Sequence, residues 1–158
     1  MKKVILLLMF MSTFIFANEL KTINTYKEAL KIAKSEDKIV LFVTSIKSCP
    51  VCNYMRDIVF EREKVLNYLN KNFVVVLKDV DKGSYPKRFH TRDMPTFYFI
   101  NADTEKEIRE KHVGGAKPEK FLNILKVAMG KETKSTQSDD SEDGYEDDYC
   151  TEDEDDEE

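Results

Sequence analysis

The 158-residue sequence has no tryptophan, two histidines and three cysteines. Without Trp, the large apolar filling of a core falls to ten Phe and seven Tyr, and an apolar fraction of 41% is enough for one domain of ordinary size. Three cysteines are too few for a scaffold stapled by disulfides. Two of them, Cys49 and Cys52, stand only three apart, where a bond closes almost no loop and adds little stability. A zinc site would need a second such pair. Only Cys150, His90 and His112 are left to complete one, and no metal-like spacing links them. Internal repeats are lacking, and past the first residues no apolar run approaches the length of a membrane span.

Basic residues are scarce at one end of the chain. From Lys131 to Glu158, fifteen Asp and Glu stand against two Lys, a net of −13, whereas the first 130 residues carry 23 Lys and Arg against 15 acids, a net of +8. The tail is rich in Ser, Asp and Glu, with Tyr145 and Tyr149 its large apolar side chains. It cannot bury enough surface to offset its ordering entropy, so residues 131–158 are expected to be disordered. Cys150 sits inside the acid run, where neighbouring carboxylates disfavour a thiolate. Two readings stay open: a solvated tail with an incidental cysteine, and a tail that folds over the basic body and presents Cys150 to Cys49.

At the other end, Lys2 and Lys3 precede an almost unbroken apolar run from Val4 to Phe16. Ala17 then offers a small residue before polar Asn18 and Glu19. This pattern is an export signal, residues 1–17, and the run is short for a spanning anchor. A domain of residues 18–130 with its tail is therefore expected outside the inner membrane, in the periplasm.

Between signal and tail, apolar periodicity marks the elements. Tyr26, Ala29, Leu30 and Ala33 follow helical spacing, with Thr25 placed to cap the start. Residues 39–43 (Ile-Val-Leu-Phe-Val) and 73–77 (Phe-Val-Val-Val-Leu) are continuous apolar runs, the pattern of strands buried on both faces. Between them Tyr54, Met55, Ile58 and Val59, then Val65, Leu66 and Leu69, are spaced as helices. The stretch 79–93 is polar and irregular, with one helical turn around 87–90. Residues 96–100 form a third strand, and a turn at 101–103 leads into a polar, alternating strand ending near Val113. After Gly114 and Gly115 comes an amphipathic helix over 118–129, with Phe121, Leu122, Leu125 and either Val127 or Ala128 inward. Helices between the early strands imply parallel pairing, and the tight turn near 102 implies an antiparallel hairpin. The expected fold is α/β: a mixed four-stranded sheet with helices on both faces.

Disulfide exchange needs an exposed thiolate to attack and a second thiol to release the mixed disulfide. Cys49-Pro50-Val51-Cys52 supplies both if it opens a helix. Cys49 then lies where the helix dipole and free amides favour an anion, Pro50 costs nothing in the first turn, and Cys52 falls one turn later on the same side. On this reading Cys49 is the nucleophile and Cys52 the more buried resolving thiol. His90 and His112 are far from the pair in sequence and read as surface histidines.

The strand 39–43 followed by Cys49-Pro50-Val51-Cys52, then Met94-Pro95-Thr96, then Val113-Gly114-Gly115, resembles the thioredoxin superfamily over roughly residues 25–129. The segment Met55–Phe60 with 65–67 and 73–76 is similar to its exported members, among them sulfur-oxidation thioredoxins and the C-terminal domain of the membrane disulfide reductase. The resemblance implies that Pro95, 46 positions after Cys49, is cis and faces the sulfurs. It also implies that Met94, Pro95, Pro50 and Val51 contact substrate, with the Met94 backbone pairing to a bound segment. Protein disulfides are the implied substrates and a membrane disulfide reductase the implied electron donor. No cofactor, metal or nucleic acid is implied, and a monomer is expected. Exported oxidants of the superfamily carry a large helical insertion for which there is no room between Cys52 and Pro95, so the implied direction is reduction. Three positions depart from the family. Ser48 replaces a Trp, Val43 replaces a buried acid with Asp57 as a distant substitute, and Val51 replaces the His of strong oxidants. The alternative is a thioredoxin-like binding module in which the two cysteines form a static disulfide.

Overall fold

The computed structural model describes residues 19–130. The expected signal segment 1–17, the acidic tail 131–158 and Cys150 lie outside the described residues. Helix α1 (Tyr26–Ser35) opens on Thr25, whose side-chain oxygen accepts from the Glu28 amide, and it turns Ala29 and Ala33 onto the sheet. Strand β1 (Ile39–Ser45) leads to a short helix α2 (Pro50–Tyr54) that continues as a π-turn over Met55–Val59. Helix α3 (Glu63–Asn72), strand β2 (Phe73–Asp79), a 3-10 turn (Lys87–Phe89), strand β3 (Thr96–Asn101), strand β4 (His112–Val113) and helix α4 (Pro118–Ala128) complete the order.

The sheet runs β2-β1-β3-β4, with β1 parallel to β2 and antiparallel to β3, and β3 antiparallel to β4. This is the mixed four-stranded α/β sheet that the sequence pattern predicts. Alternation along the apolar runs explains why those runs are unbroken, because each face has its own cover. Leu41, Val43, Val75, Phe97 and Phe99 meet Met55, Val59 and Phe60 from the π-turn and its end, Leu69 from α3, and Phe121 and Leu125 from α4. Val40, Phe42, Val74, Val76, Tyr98 and Ile100 point the other way, to Ala29 and Ala33 of α1 and to Phe89. The outer edge of β2 is partly capped by a bridge from Thr22 to Val75, where the Ile23 amide donates to the Val75 carbonyl.

Two expectations need correction. The fourth strand is far shorter than its alternating pattern implies: β4 holds two residues, and upstream only an isolated bridge joins Ile100 to Glu107. The segment 104–111 offers a single large aliphatic side chain, Ile108, and it stays exposed, so no burial holds a longer strand against β3. The helix after Cys52 does not keep α spacing. The Phe60 amide donates to the Met55 carbonyl five residues back, which buries Met55, Val59 and Phe60 and leaves Tyr54 and Ile58 outside. At the end of α4 the structure decides between the two alternatives the sequence leaves open: Ala128 is buried and Val127 exposed.

Candidate active site

Strand β1 ends at Ser45, and four residues later Cys49 is the N-cap of α2, with extended backbone angles and Pro50 at the first helical position. A helix start leaves amides without intrahelical partners. Here the Cys52 N–H donates to the Cys49 sulfur at 3.1 Å. The two sulfurs differ in access: Cys49 is half-buried, whereas Cys52 is 3% exposed. Burial, and then the hydrogen bond with Cys49, push the Cys52 thiol from an ordinary 9.0 up to about 11. Both are thiols in this structure.

Across from them the Met94–Pro95 peptide is cis, as the resemblance implies, and the Cys49 thiol points to the Met94 carbonyl at 3.9 Å. The approach to this peptide is held from below. The Thr96 hydroxyl donates to the Asp93 carbonyl at 2.6 Å, and the buried Thr44 hydroxyl donates to the Thr96 carbonyl at 3.5 Å. Beyond β4, the Gly114 amide donates to the Pro95 carbonyl at 2.8 Å, and the Ala116 amide to the Met55 sulfur at 3.3 Å. The loop 114–116 is thereby tied to both the proline and the helix. Gly114 has a φ of +88°, a conformation that favours glycine.

Two hollows flank the sulfurs. One, about 180 Å³, lies behind Cys52 and is bounded by Val43, Leu77, Phe60 and Pro95 with the polar Ser45, Lys47, Arg56 and Asp79. The other is an open groove of about 640 Å³ lined by Pro50, Val51, Tyr54, Gly115, Ala116, Lys117 and Lys120. All six residues singled out in the sequence (Cys49, Cys52, Pro50, Val51, Met94 and Pro95) thus fall around one centre. The sequence reading missed Asp79, Arg56, Lys117 and Lys120, which reach the centre only through the fold. Asp57 is no substitute for the absent buried acid: it is exposed, pairs with Arg56 at 2.8 Å and does not line the hollow behind Cys52. Val43 and Leu77, register partners across β1 and β2, make that wall apolar.

The histidines lie elsewhere. His90 is exposed beside Tyr85, with ring centres 4.6 Å apart. His112, in β4, rests on Phe97 of β3 and is half-buried, not the surface histidine its sequence context suggests; burial, and then the charges of Lys120 and Arg109, hold its pKa below the usual imidazole range. Among the described residues no three His, Cys, Asp or Glu side chains converge on a point that could hold a metal.

A strand feeding a Cys-x-x-Cys helix start, faced by a cis proline directly before the neighbouring antiparallel strand, defines a thioredoxin fold. The chain belongs to the thioredoxin-like domain family, whose model matches residues 26–128. It is 31% identical over 106 residues to thioredoxin H3 of Arabidopsis thaliana, a match spanning 66% of this chain and 84% of that protein. Among solved structures it is similar to a thioredoxin from Thermus thermophilus, with TM-score 0.61, 27% identity, and coverage of 71% of this chain and 88% of that one. It also shares its fold with the C-terminal domain of DsbD from Neisseria meningitidis, with TM-score 0.51, 18% identity, and coverage of 68% and 99%.

Proposed function

We propose that the chain is an exported thiol–disulfide oxidoreductase that reduces protein disulfides in the periplasm through Cys49 and Cys52. The observation that carries this reading is the asymmetry of the pair: a reachable Cys49 sulfur receiving the Cys52 amide at 3.1 Å, backed by a buried thiol held protonated. Membership of the thioredoxin-like family supports thiol–disulfide exchange in general. The signal-like residues 1–17 support export.

The chemistry proceeds in two displacements. The Cys49 thiolate attacks one sulfur of a substrate disulfide, forming a mixed disulfide and expelling the first substrate thiolate. Cys52 then loses its proton and attacks the Cys49 sulfur. The Cys49–Cys52 bond forms, the second substrate thiolate leaves, and two electrons have passed to the substrate. The buried Cys52 proton keeps the second thiol inactive until the mixed disulfide has formed. Pro50 and Val51 line the approach on one side, and the Met94 carbonyl and Pro95 on the other, where a substrate strand would pair. A dithiol consumed in an oxidising compartment must be restored by a donor, and the resemblance of the sequence to exported thioredoxin-like proteins suggests a membrane disulfide reductase in that role. Between Cys52 and Pro95 the chain holds the π-turn, α3, β2 and one 3-10 turn, leaving no inserted helical domain of an exported oxidant.

The deciding experiment is the reduction potential of the pair, read by thiol alkylation and mass spectrometry across a dithiothreitol series. A value of about −230 to −270 mV, in the range of thioredoxin and glutaredoxins, supports the reductase. A value of about −120 mV would make the chain an oxidant. Absence of turnover with an insulin-type disulfide would leave a binding module with a static disulfide.

A further inference from the structure

The groove beside the dithiol is apolar within and basic at its rim. Val51 and Tyr54, 44% and 37% exposed, line it from α2, and Lys117 and Lys120 line it from the start of α4. Neither lysine has an ion-pair partner among the described residues. An apolar groove rimmed by cations is the make-up of an interaction site for an acidic segment that carries apolar side chains. The charge balance says by what. Residues 19–130 carry 21 Lys and Arg against 15 Asp and Glu, a net of +6, while residues 131–158 carry −13. Within that acidic stretch the large apolar side chains are concentrated in Tyr145-Glu146-Asp147-Asp148-Tyr149-Cys150: two rings four positions apart, three carboxylates between them, and a thiol directly after.

We propose that the groove receives the chain's own segment Tyr145–Cys150, its rings against Val51 and Tyr54 and its carboxylates at Lys117 and Lys120, in competition with disulfide substrates. The tether has the right length. Helix α4 begins at the groove and its eleven residues run about 16 Å to the point where the tail departs. Nineteen positions separate Gly130 from Tyr149, and a flexible neutral chain of that length would have an end-to-end distance of about 24 Å, which like charges extend. The reach covers the span, which allows an effective concentration of about millimolar, so a segment of sub-millimolar intrinsic affinity fills the groove most of the time. Attraction between exposed charges is screened beyond about 8 Å at physiological salt, which makes the docking salt-sensitive. The competition with substrate rests on the thiol–disulfide reading above; the docking itself does not.

The test uses the chain from residue 18 through the tail, isotope-labelled and reduced, as the native sequence and as the double variant Tyr145→Ser/Tyr149→Ser. Amide resonances of Val51, Gly115 and Lys117 are expected to differ between the two at about 20 mM salt and to coincide at about 500 mM. The KM for an insulin-type disulfide is expected to fall on the order of fivefold in the variant at low salt, with kcat unchanged. Coincident resonances at low salt would overturn the docking. Differences that grow with protein concentration would show that a second copy delivers the segment, which overturns the intramolecular form. Resonances that differ in a protein with no turnover would leave the docking standing and remove the thiol–disulfide reading instead.

Discussion

Val51 closes over Gly115: a Cβ built on Gly115 would stand 2.6 Å from Val51 Cγ1. That separation is far below van der Waals contact, and Val is stiff at χ1, so the valine cannot swing its methyl aside without leaving its rotamer. Gly115→Ala is therefore expected to destabilise the protein by about 0.5–1.5 kcal/mol, the usual cost of a side chain pushed off its rotamer. Val51→Ala in the same chain should restore most of that loss. Urea unfolding of the two single variants and the double variant gives the coupling directly. Additive losses would mean that Val51 and Gly115 do not meet in solution.

The second prediction concerns pH. The thiol of Cys52 is raised to about 11 by burial and by its bond with Cys49, so the native state holds this proton more tightly than the unfolded chain does. The resulting stability is fully present below the ordinary value of 9.0 and is lost as pH rises through about 11. Buried tyrosines also titrate in the alkaline range, and the useful quantity is the difference between native and Cys52→Ala chains. Under reducing conditions the native chain should lose urea resistance faster than the variant between about pH 8.5 and about pH 11. Parallel curves would show that Cys52 is not held protonated by its surroundings.

Much of the fold and of the site is legible in the sequence. The strands at 39–45 and 73–79 announce themselves because both faces are covered, which demands unbroken apolar runs. Cys49, Pro50 and Cys52 declare a helix start because proline and a sulfur acceptor both suit unpaired amides. What stayed hidden depends on tertiary partners. Phe89 sits in a polar stretch with no periodicity, yet it is fully buried because it fills the space under Phe42 left by the small Ala29 and Ala33. The π-turn at 55–59 looks like ordinary helix in sequence, since the choice between i+4 and i+5 bonding is made by which side chains the sheet accepts. Lys117 and Asp79 carry no local signal at all. Each joins the site only because α4 begins and β2 ends beside the same pair of sulfurs.

Phe89 also yields a third prediction. Its ring stacks on Phe42 with centres 4.2 Å apart and an interplanar angle of 23°. The Arg88 guanidinium lies over its outer face, 4.7 Å from the ring centre. Phe89→Ala is expected to cost about 3–5 kcal/mol in unfolding free energy. Phe89 belongs to the cluster on the α1 face, while the sulfurs lie on the other, so the reduction potential of the surviving folded protein should match the native value. A loss below about 1 kcal/mol would show that the 3-10 turn is not part of the core.

Asp79 supplies the last prediction. The resolving step needs the Cys52 proton to leave a wall made apolar by Val43 and Leu77. The hollow behind Cys52 has room for water, at about 180 Å³, and Asp79 is the one carboxylate among the residues that bound it. The charged groups lining it besides Asp79 are Lys47 from the loop and Arg56 from the π-turn, and both favour a Cys52 thiolate once it forms. The Asp79 carboxylate already accepts the Asp81 amide at 3.1 Å, a bond that the amide oxygen of Asn can keep, so Asp79→Asn should fold normally. Release of a trapped mixed disulfide is expected to slow by about tenfold or more, with its pH midpoint displaced upward. Alkylation of Cys49, which precedes that step, should be unchanged. An unshifted pH profile would remove Asp79 from the proton path and leave Cys52 to lose its proton directly to solvent.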